Sequence, residues 1–283
     1  MEVSPMSMNS VITNAGALIA LENLNATNSQ LNTTQERIST GLKVSSATDN
    51  GAVWAVAQNE RSTIGALGSV VDSINRGIST ADVAVSAGQT ISDLLNQMKA
   101  KVLAATDTSA TASDITNYAN DFVALRNQIA KIVSTSDFNG ANMIKTGGTS
   151  VMALASASGA IKLTVAAVNL GLGGGTVTVT AAATFTTNTT AAAMLAIVNT
   201  SITNVNAAVA KLGTGVNALN AQLSFVQNQT DTLTTGVGNL VDADVAKESA
   251  NLTALQTKQQ LGAQALSIAN QAPSVLLSLF NGH

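Results

Sequence analysis

The chain has 283 residues, of which only 10% are charged, 2% are aromatic and none is cysteine. A net charge of −3 and a pI near 5.0 leave no basic footprint for nucleic acid, and the missing thiols exclude disulfides and cysteine metal sites. With so few aromatics, burial has to come from many small contacts along extended seams.

The first helix is predicted from Asn14 to about Thr40. Its apolar seam reads Ala17, Leu21, Leu24, Asn28, Leu31, Gln35 and Ile38, in steps of four and three. The polar members Asn28 and Gln35 weaken this seam and favour one register over others. Gly41 suits the left-handed residue that ends a helix, and Asp49-Asn50-Gly51 signals a turn. A second helix is expected over about Ala52–Ala105, with the seam Ile64, Leu67, Val71, Ile74, Ile78, Ala81, Val85, Gly88, Ser92, Leu95, Lys99 and Val102. Its far end weakens, as if the partner changed. Thr106–Ser113 reads as a loop with Ser113 or Asp114 as N-cap, and a third helix carries Ile115, Tyr118, Phe122, Leu125, Ile129 and Ile132.

Between about Lys145 and Asn188 the chain turns rich in Ala, Gly and Thr. Ile161–Val165 and Thr176–Thr180 alternate like strands, so a small β-hairpin is expected there. Next comes a 3-4 repeat from Leu195 to Leu240, whose sustained 3.5-residue period describes a coiled-coil seam. The register fails at Asp242–Asp244, and a last helix over about Val245–Phe280 carries Leu252, Leu255, Leu261, Leu266, Leu276, Leu279 and Phe280. The fold class is therefore mainly α, an elongated helical bundle or coiled-coil rod with a small β-hairpin insert. The terminal helices, marginal on their own, are expected to order against other subunits.

Candidate chemistry is sparse. The single histidine is the last residue, His283, so His-based triads and multi-His metal sites are excluded. Gly171–Gly175 lacks a following Lys-Ser/Thr and reads as a turn. Asp242 and Asp244, two apart, point away from each other and suit a helix start, with Asp244 one turn before Lys247. Trp54 reads as a packing anchor. No catalytic residue, cofactor or metal site is expected. Mean hydropathy is +0.27, yet Ser, Thr, Asn and Gln interrupt every run, so membrane insertion is not expected. Glu2 stands where a signal peptide would be basic, so no cleaved signal is expected.

The run Arg37-Ile38-Ser39-Thr40-Gly41-Leu42-Lys43-Val44-Ser45-Ser46-Ala47-Thr48-Asp49-Asn50-Gly51-Ala52 resembles the N-terminal signature of bacterial flagellins. Asn239–Asp244, Glu248-Ser249, Gln264–Pro273 and Leu277–Phe280 resemble the C-terminal block, and Phe138-Asn139-Gly140 sits where flagellins leave their third helix. The likeness is greatest to the short flagellins of alphaproteobacteria. It implies a subunit that polymerises into the swimming filament by burying its terminal helices between neighbours. In that layout 9–41 and 241–283 are inner-tube helices and 42–51 is a spoke. Residues 52–144 and 191–240 form the outer tube, 145–190 is a small β insert, and 1–8 is an extension or cloning remnant.

The self-assembly residues would be Leu21, Leu24, Leu31, Ile38, Leu252, Leu255, Leu266, Leu276, Leu279 and Phe280. The spoke motif would be Arg37, Gly41, Asp49 and Asn50. Implied partners are further copies of the chain, the hook-junction and cap proteins and a flagellar export chaperone. The implied location is the extracellular flagellum, reached through type III export. The resemblance also places Leu95–Lys101 where enteric flagellins present Leu-Gln-Arg-x-Arg-Glu-Leu to an innate immune receptor. The implied signalling is weak, because this chain reads Leu-Asn-Gln-Met-Lys-Ala-Lys. A hook–filament junction protein and a non-polymerising surface receptor or adhesin are the alternatives.

Overall fold

The computed structural model describes residues 14–280, with side chains to Gln271. Along the chain lie helices α1 (Ala15–Thr40), α2 (Gly51–Ala105) and α3 (Ala112–Thr135), strands β1 (Val151–Leu154) and β2 (Lys162–Val165), and helices α4 (Asn188–Val241) and α5 (Val245–Phe280). The backbone divides into two compact units, one of Met1–Arg61 with Thr234–His283 and one of Ser62–Leu233.

Local chemistry sets the helix ends. The Asn14 side chain accepts the Ala17 N–H at 3.0 Å, and Gly41, at φ 71°, closes α1 by donating to the Arg37 carbonyl at 2.9 Å. Asn50 caps α2 by accepting from the Val53 N–H at 3.1 Å. The cap of α3 is Thr111, not Ser113 or Asp114. Thr111 and Asp114 form a reciprocal capping box that satisfies two helix-end donors, so Asp114 sits three residues inside the helix start.

In the second unit α2 and α4 run antiparallel, with the Ser92 hydroxyl donating to Asn206 Oδ1 at 2.7 Å. On α4 the expected seam holds in part: Val198, Val205, Leu212, Leu219 and Val226 are buried at every seventh position, while Leu195, Ile202, Val209, Val216 and Leu223 are half-buried beside Met194, Ser201 and Ala208, and Leu240 is exposed. On α2 every expected seam residue but Lys99 is covered, with Val71, Ile78 and Val85 packed half-buried against the core, but the fully buried face is shifted. Leu67, Ile74, Ala81, Leu95 and Val102 are buried, but their companions are Val70, Ala84, Ile91, Met98 and Ala105. Lys99 is exposed and Ser92 half-buried, so the apparent weakening of the far end disappears. Phe122 of α3 meets Phe185 edge-on at 5.5 Å. Arg126, buried on α3, donates to the Ala183 carbonyl at 2.5 Å and to Asn127, which ties down the approach to α4.

The insert is a hairpin as expected, and the expected strand Ile161–Val165 is β2, but its partner is β1 and not Thr176–Thr180. β1 pairs antiparallel with β2 in the register Val151↔Val165 and Leu154↔Lys162. Thr176–Thr180 is not a strand. Val177 and Val179 are fully buried, while the Thr178 N–H and hydroxyl bond to Ser201 and Ile197 of α4. Its alternation reflects packing on a helix, and its backbone donor at Thr178 is satisfied by a side chain. The hairpin lies close against helix glycines. A Cβ on Gly77 would stand 3.0 Å from Val151 Cγ1, and one on Gly215 would stand 2.6 Å from Val165 Cγ1.

One further expectation needs correction. By length and composition α4 is apolar enough to cross a membrane, with a mean hydropathy of 1.3 over an 18-residue stretch. Ala, Val and Leu outweigh the interrupting Asn and Thr, and the buried seam of α4 serves the core of its own unit.

Candidate polymerisation site

Within the first unit α1 and α5 pair antiparallel as a two-helix coiled coil. Asn14 Nδ2 donates to the Ala269 carbonyl at 2.6 Å, Gln259 Nε2 to Asn28 Oδ1 at 2.7 Å, and Arg37 meets Glu248 Oε1 at 3.3 Å. The sequence left open whether these helices pair within one chain; here they do. On α5 the covered positions are Glu248, Leu252, Leu255, Gln259, Gly262, Leu266 and Ala269, an unbroken alternation of four and three.

On α1 the covered positions are Ala17, Ala20, Leu24, Thr27, Leu31, Thr34 and Ile38. The expected members Leu21 and Gln35 fall on the flank and are exposed, while Asn28 is half-buried. Small threonines replace them in the seam. Thr27 is buried because its hydroxyl donates to the Asn23 carbonyl at 2.8 Å, which removes the cost of an unpaired polar group. Leu24 packs against Gly262, where a Cβ would lie 3.3 Å from Leu24 Cδ1.

Of the named assembly residues, Leu31 is buried at 8% exposure, and Leu24, Ile38, Leu252, Leu255 and Leu266 are half-buried. The side chains of Leu276, Leu279 and Phe280 lie outside the described residues. The reading from sequence missed Thr27, Thr34, Gln259 and Gly262 as seam members; the unbroken period on α5, counted from Glu248 through Gln259, was the available signal. Leu31 is the only large apolar side chain fully buried in this pair among the described residues. By contrast Leu18 is 58% exposed, Ile19 60%, Leu21 43%, Leu261 59% and Ile268 70%. Leu261 and Ile268, seven apart, share one stripe of α5. A groove of about 490 Å³ flanks the pair, lined by Gln30, Thr33 and Arg37 on one side and Asn251, Ala254 and Lys258 on the other.

The spoke residues sit where both helices break. Leu42 forms an antiparallel bridge with Asp242, the Lys43 N–H donates to the Val241 carbonyl at 2.6 Å, and the Ala243 N–H donates to the Gly41 carbonyl at 2.9 Å. Asp49 gathers four donors: the Ser45 and Ser46 N–H groups, both at 2.9 Å, and their hydroxyls at 3.0 and 3.2 Å. The Ser46 N–H first, then the Ser45 hydroxyl, hold its carboxyl below the ordinary value of 3.8. Asp244 starts α5 through its carboxylate, which accepts the Lys247 N–H at 3.1 Å; that backbone bond stands in place of the side-chain pair expected between them. Nothing in this arrangement resembles a catalytic constellation: it is a seam, a cap and a tied joint.

Residues 11–149 match the family model of the bacterial flagellin N-terminal helical region, and residues 195–280 match that of the C-terminal helical region. The chain belongs to the bacterial flagellin family. Flagellin FljM of Caulobacter vibrioides is 50% identical over 275 residues, covering 97% of this chain and all of the relative. Flagellin FljK of the same organism is 49% identical with the same coverage. A flagellin of Brucella melitensis is 35% identical over 284 residues, covering 97% of this chain and 100% of its own. This is a flagellin of the short alphaproteobacterial type, a structural subunit of the extracellular flagellar filament and not an enzyme. Residues 150–194, with the hairpin, lie between the two matched regions.

Proposed function

We propose that the α1–α5 pair is the polymerisation element of this flagellin. In this reading residues 9–41 and 241–283 line the inner tube of the filament, 42–51 form the spoke, and 52–144 with 191–240 form the outer tube around it. Residues 145–190 form the insert.

The observation that carries the reading is the mismatch between seam and surface in the first unit. Among the described residues, a pair that fully buries one leucine leaves six large apolar side chains, Val245 included, 43–70% exposed. Fully burying such a side chain contributes about 1.5–3 kcal/mol, so covering the exposed part of these residues gives neighbouring copies several kcal/mol of driving force to associate. Leu24, Leu31, Ile38, Leu252, Leu255 and Leu266 then hold the element together. Leu21, Leu261 and Ile268 present it, and Leu276, Leu279 and Phe280 extend it. Arg37, Gly41, Asp49 and Asn50 fix the joint at its base.

Seeded elongation of purified protein, followed by light scattering and electron microscopy, tests the scheme. Leu266→Asp, Leu276→Asp and the pair Leu261→Asp/Ile268→Asp are each expected to leave a folded second unit and to raise the critical concentration at least about tenfold. Filaments of normal length from all three would refute it. Further partners follow from the same surface. An export chaperone would cover the apolar stripe before assembly, and the hook-junction and cap proteins would cover it at the filament ends. Export through the type III apparatus requires no cleaved signal.

A further inference from the structure

All sixteen Asp and Glu residues lie at or before Asp137 or at and after Asp231; the span from Phe138 to Thr230 contains none. That span carries Lys145, Lys162 and Lys211, all exposed and without an ion pair among the described residues. Lys211 lies in a groove of about 590 Å³ between the segment after β2 and α4, with Thr164, Asn169 and Asn204. The part of the second unit built from α2 and α3 is mixed with an acidic excess, seven aspartates against Arg76, Lys99, Lys101, Arg126 and Lys131. Asp72, Asp82, Asp93 and Asp137 are exposed there and also lack an ion pair among the described residues. Asp82 and Asp93, eleven residues apart, share one side of α2. Asp82 lines a second groove of about 520 Å³, between α2 and α3, that has no residue in common with the first.

We infer that these two regions are the halves of one electrostatic contact between copies of the chain, the lysines of the insert and α4 on one subunit facing the aspartates of α2 on the next. The inference rests on the filament reading. A contact between two different surfaces is heterologous and propagates into an open helical array, whereas like surfaces would close a dimer. Opposed exposed charges act mainly on encounter and orientation, and their effect falls with salt. Neither set forms an ion pair among the described residues of one subunit, so each is available to a neighbour.

The test uses full-length chains in seeded elongation at low and high salt, with circular dichroism as the check on folding. Lys145→Glu/Lys162→Glu/Lys211→Glu should slow elongation about tenfold or more at low salt and much less at high salt. Asp72→Lys/Asp82→Lys/Asp93→Lys should slow it comparably. The combined six-fold swap returns the net charge to −3 and should regain most of the parent rate. Elongation of the lysine variant at the parent rate, or failure of the folded swap to recover, overturns the inference. If the parent itself does not elongate on its seeds at any salt, the filament reading fails instead, and this inference with it.

Discussion

Two glycines of α4, two residues apart, should respond in opposite directions to the same substitution. Nothing lies within 4 Å of a Cβ built on Gly213, whereas one on Gly215 would stand 2.6 Å from Val165 Cγ1 and 3.0 Å from Cγ2. In an unobstructed helix interior Gly→Ala stabilises by about 1 kcal/mol, so Gly213→Ala should raise the melting temperature of this unit by about 2–4 °C. At Gly215 the same propensity gain competes with overpacking that costs about 1–3 kcal/mol. Val165 cannot retreat freely, because it is buried and its strand is fixed to β1 through the Val151 pairing. Gly215→Ala should therefore be neutral to about 2 kcal/mol destabilising. Thermal and urea denaturation followed by circular dichroism measures both. The control is Val165→Ala, which removes the two methyl groups: in that background Gly215→Ala should become stabilising. If Gly215→Ala stabilises the parent as much as Gly213→Ala does, the close packing of hairpin on helix is wrong.

Three further outcomes are expected. Asn28→Leu/Gln259→Leu should leave the α1–α5 pair as stable or more so but loosen its register; in this cysteine-free chain, the parent should cross-link Leu24→Cys to Gly262→Cys, and only the double-leucine background should also cross-link Leu31→Cys to Gly262→Cys. Asp49, Asp107 and Asp114 have carboxyls held below their ordinary value by Ser46, Ser109 and Thr111 respectively. Their folded pKa values lie under the unfolded ones, so the stability they add is present above pH of about 4 and is lost as pH falls further; Asp49→Asn should flatten an acid melt in that window. On α2, Asn96, Gln97 and Lys99 are exposed and Lys101 is engaged by Asp121 at 2.8 Å. With no guanidinium in that stretch, half-maximal signalling through the innate receptor should need about tenfold more protein than an enteric flagellin requires, and an equal reporter-cell response would reject this.

The sequence was read well wherever one face alone was apolar. α4 shows this: its seam is mostly Leu, Ile and Val, and all of it but Leu240 is buried or half-buried. On α2 apolar residues fill both candidate companions of Leu67 and Ile74. Val71 and Ile78 outscore Ala84 as letters, yet Val70, Ala84, Ile91 and Met98 face inward. The choice depends on where the neighbouring helix lies, which a single helix does not encode. On α1 the error has another cause: threonine counts as polar until its hydroxyl finds a carbonyl one turn back, as Thr27 does with Asn23. The Thr176–Thr180 segment misled because alternation reports two-sided burial and is silent about where the backbone bonds go. Of the candidate site, its leucines and the helix-ending role of Gly41 were legible. The Asn28–Gln259 pair was half legible, since only one member was singled out.

The link from Asn14 to Ala269 joins residues 255 apart in sequence. Closing a loop of that size costs about 5 kcal/mol in chain entropy, and none of it is recovered until both ends are present. The hairpin, the α3 cap and the α2–α3 turn are local by comparison and can form early. The terminal pair is thus expected among the last contacts to form; a chain interrupted before residue 269 loses this link, and one interrupted before residue 248 loses the pair altogether. Competence to join other copies then depends on possessing both termini at once, which makes the pair a check on completeness as well as an adhesive surface.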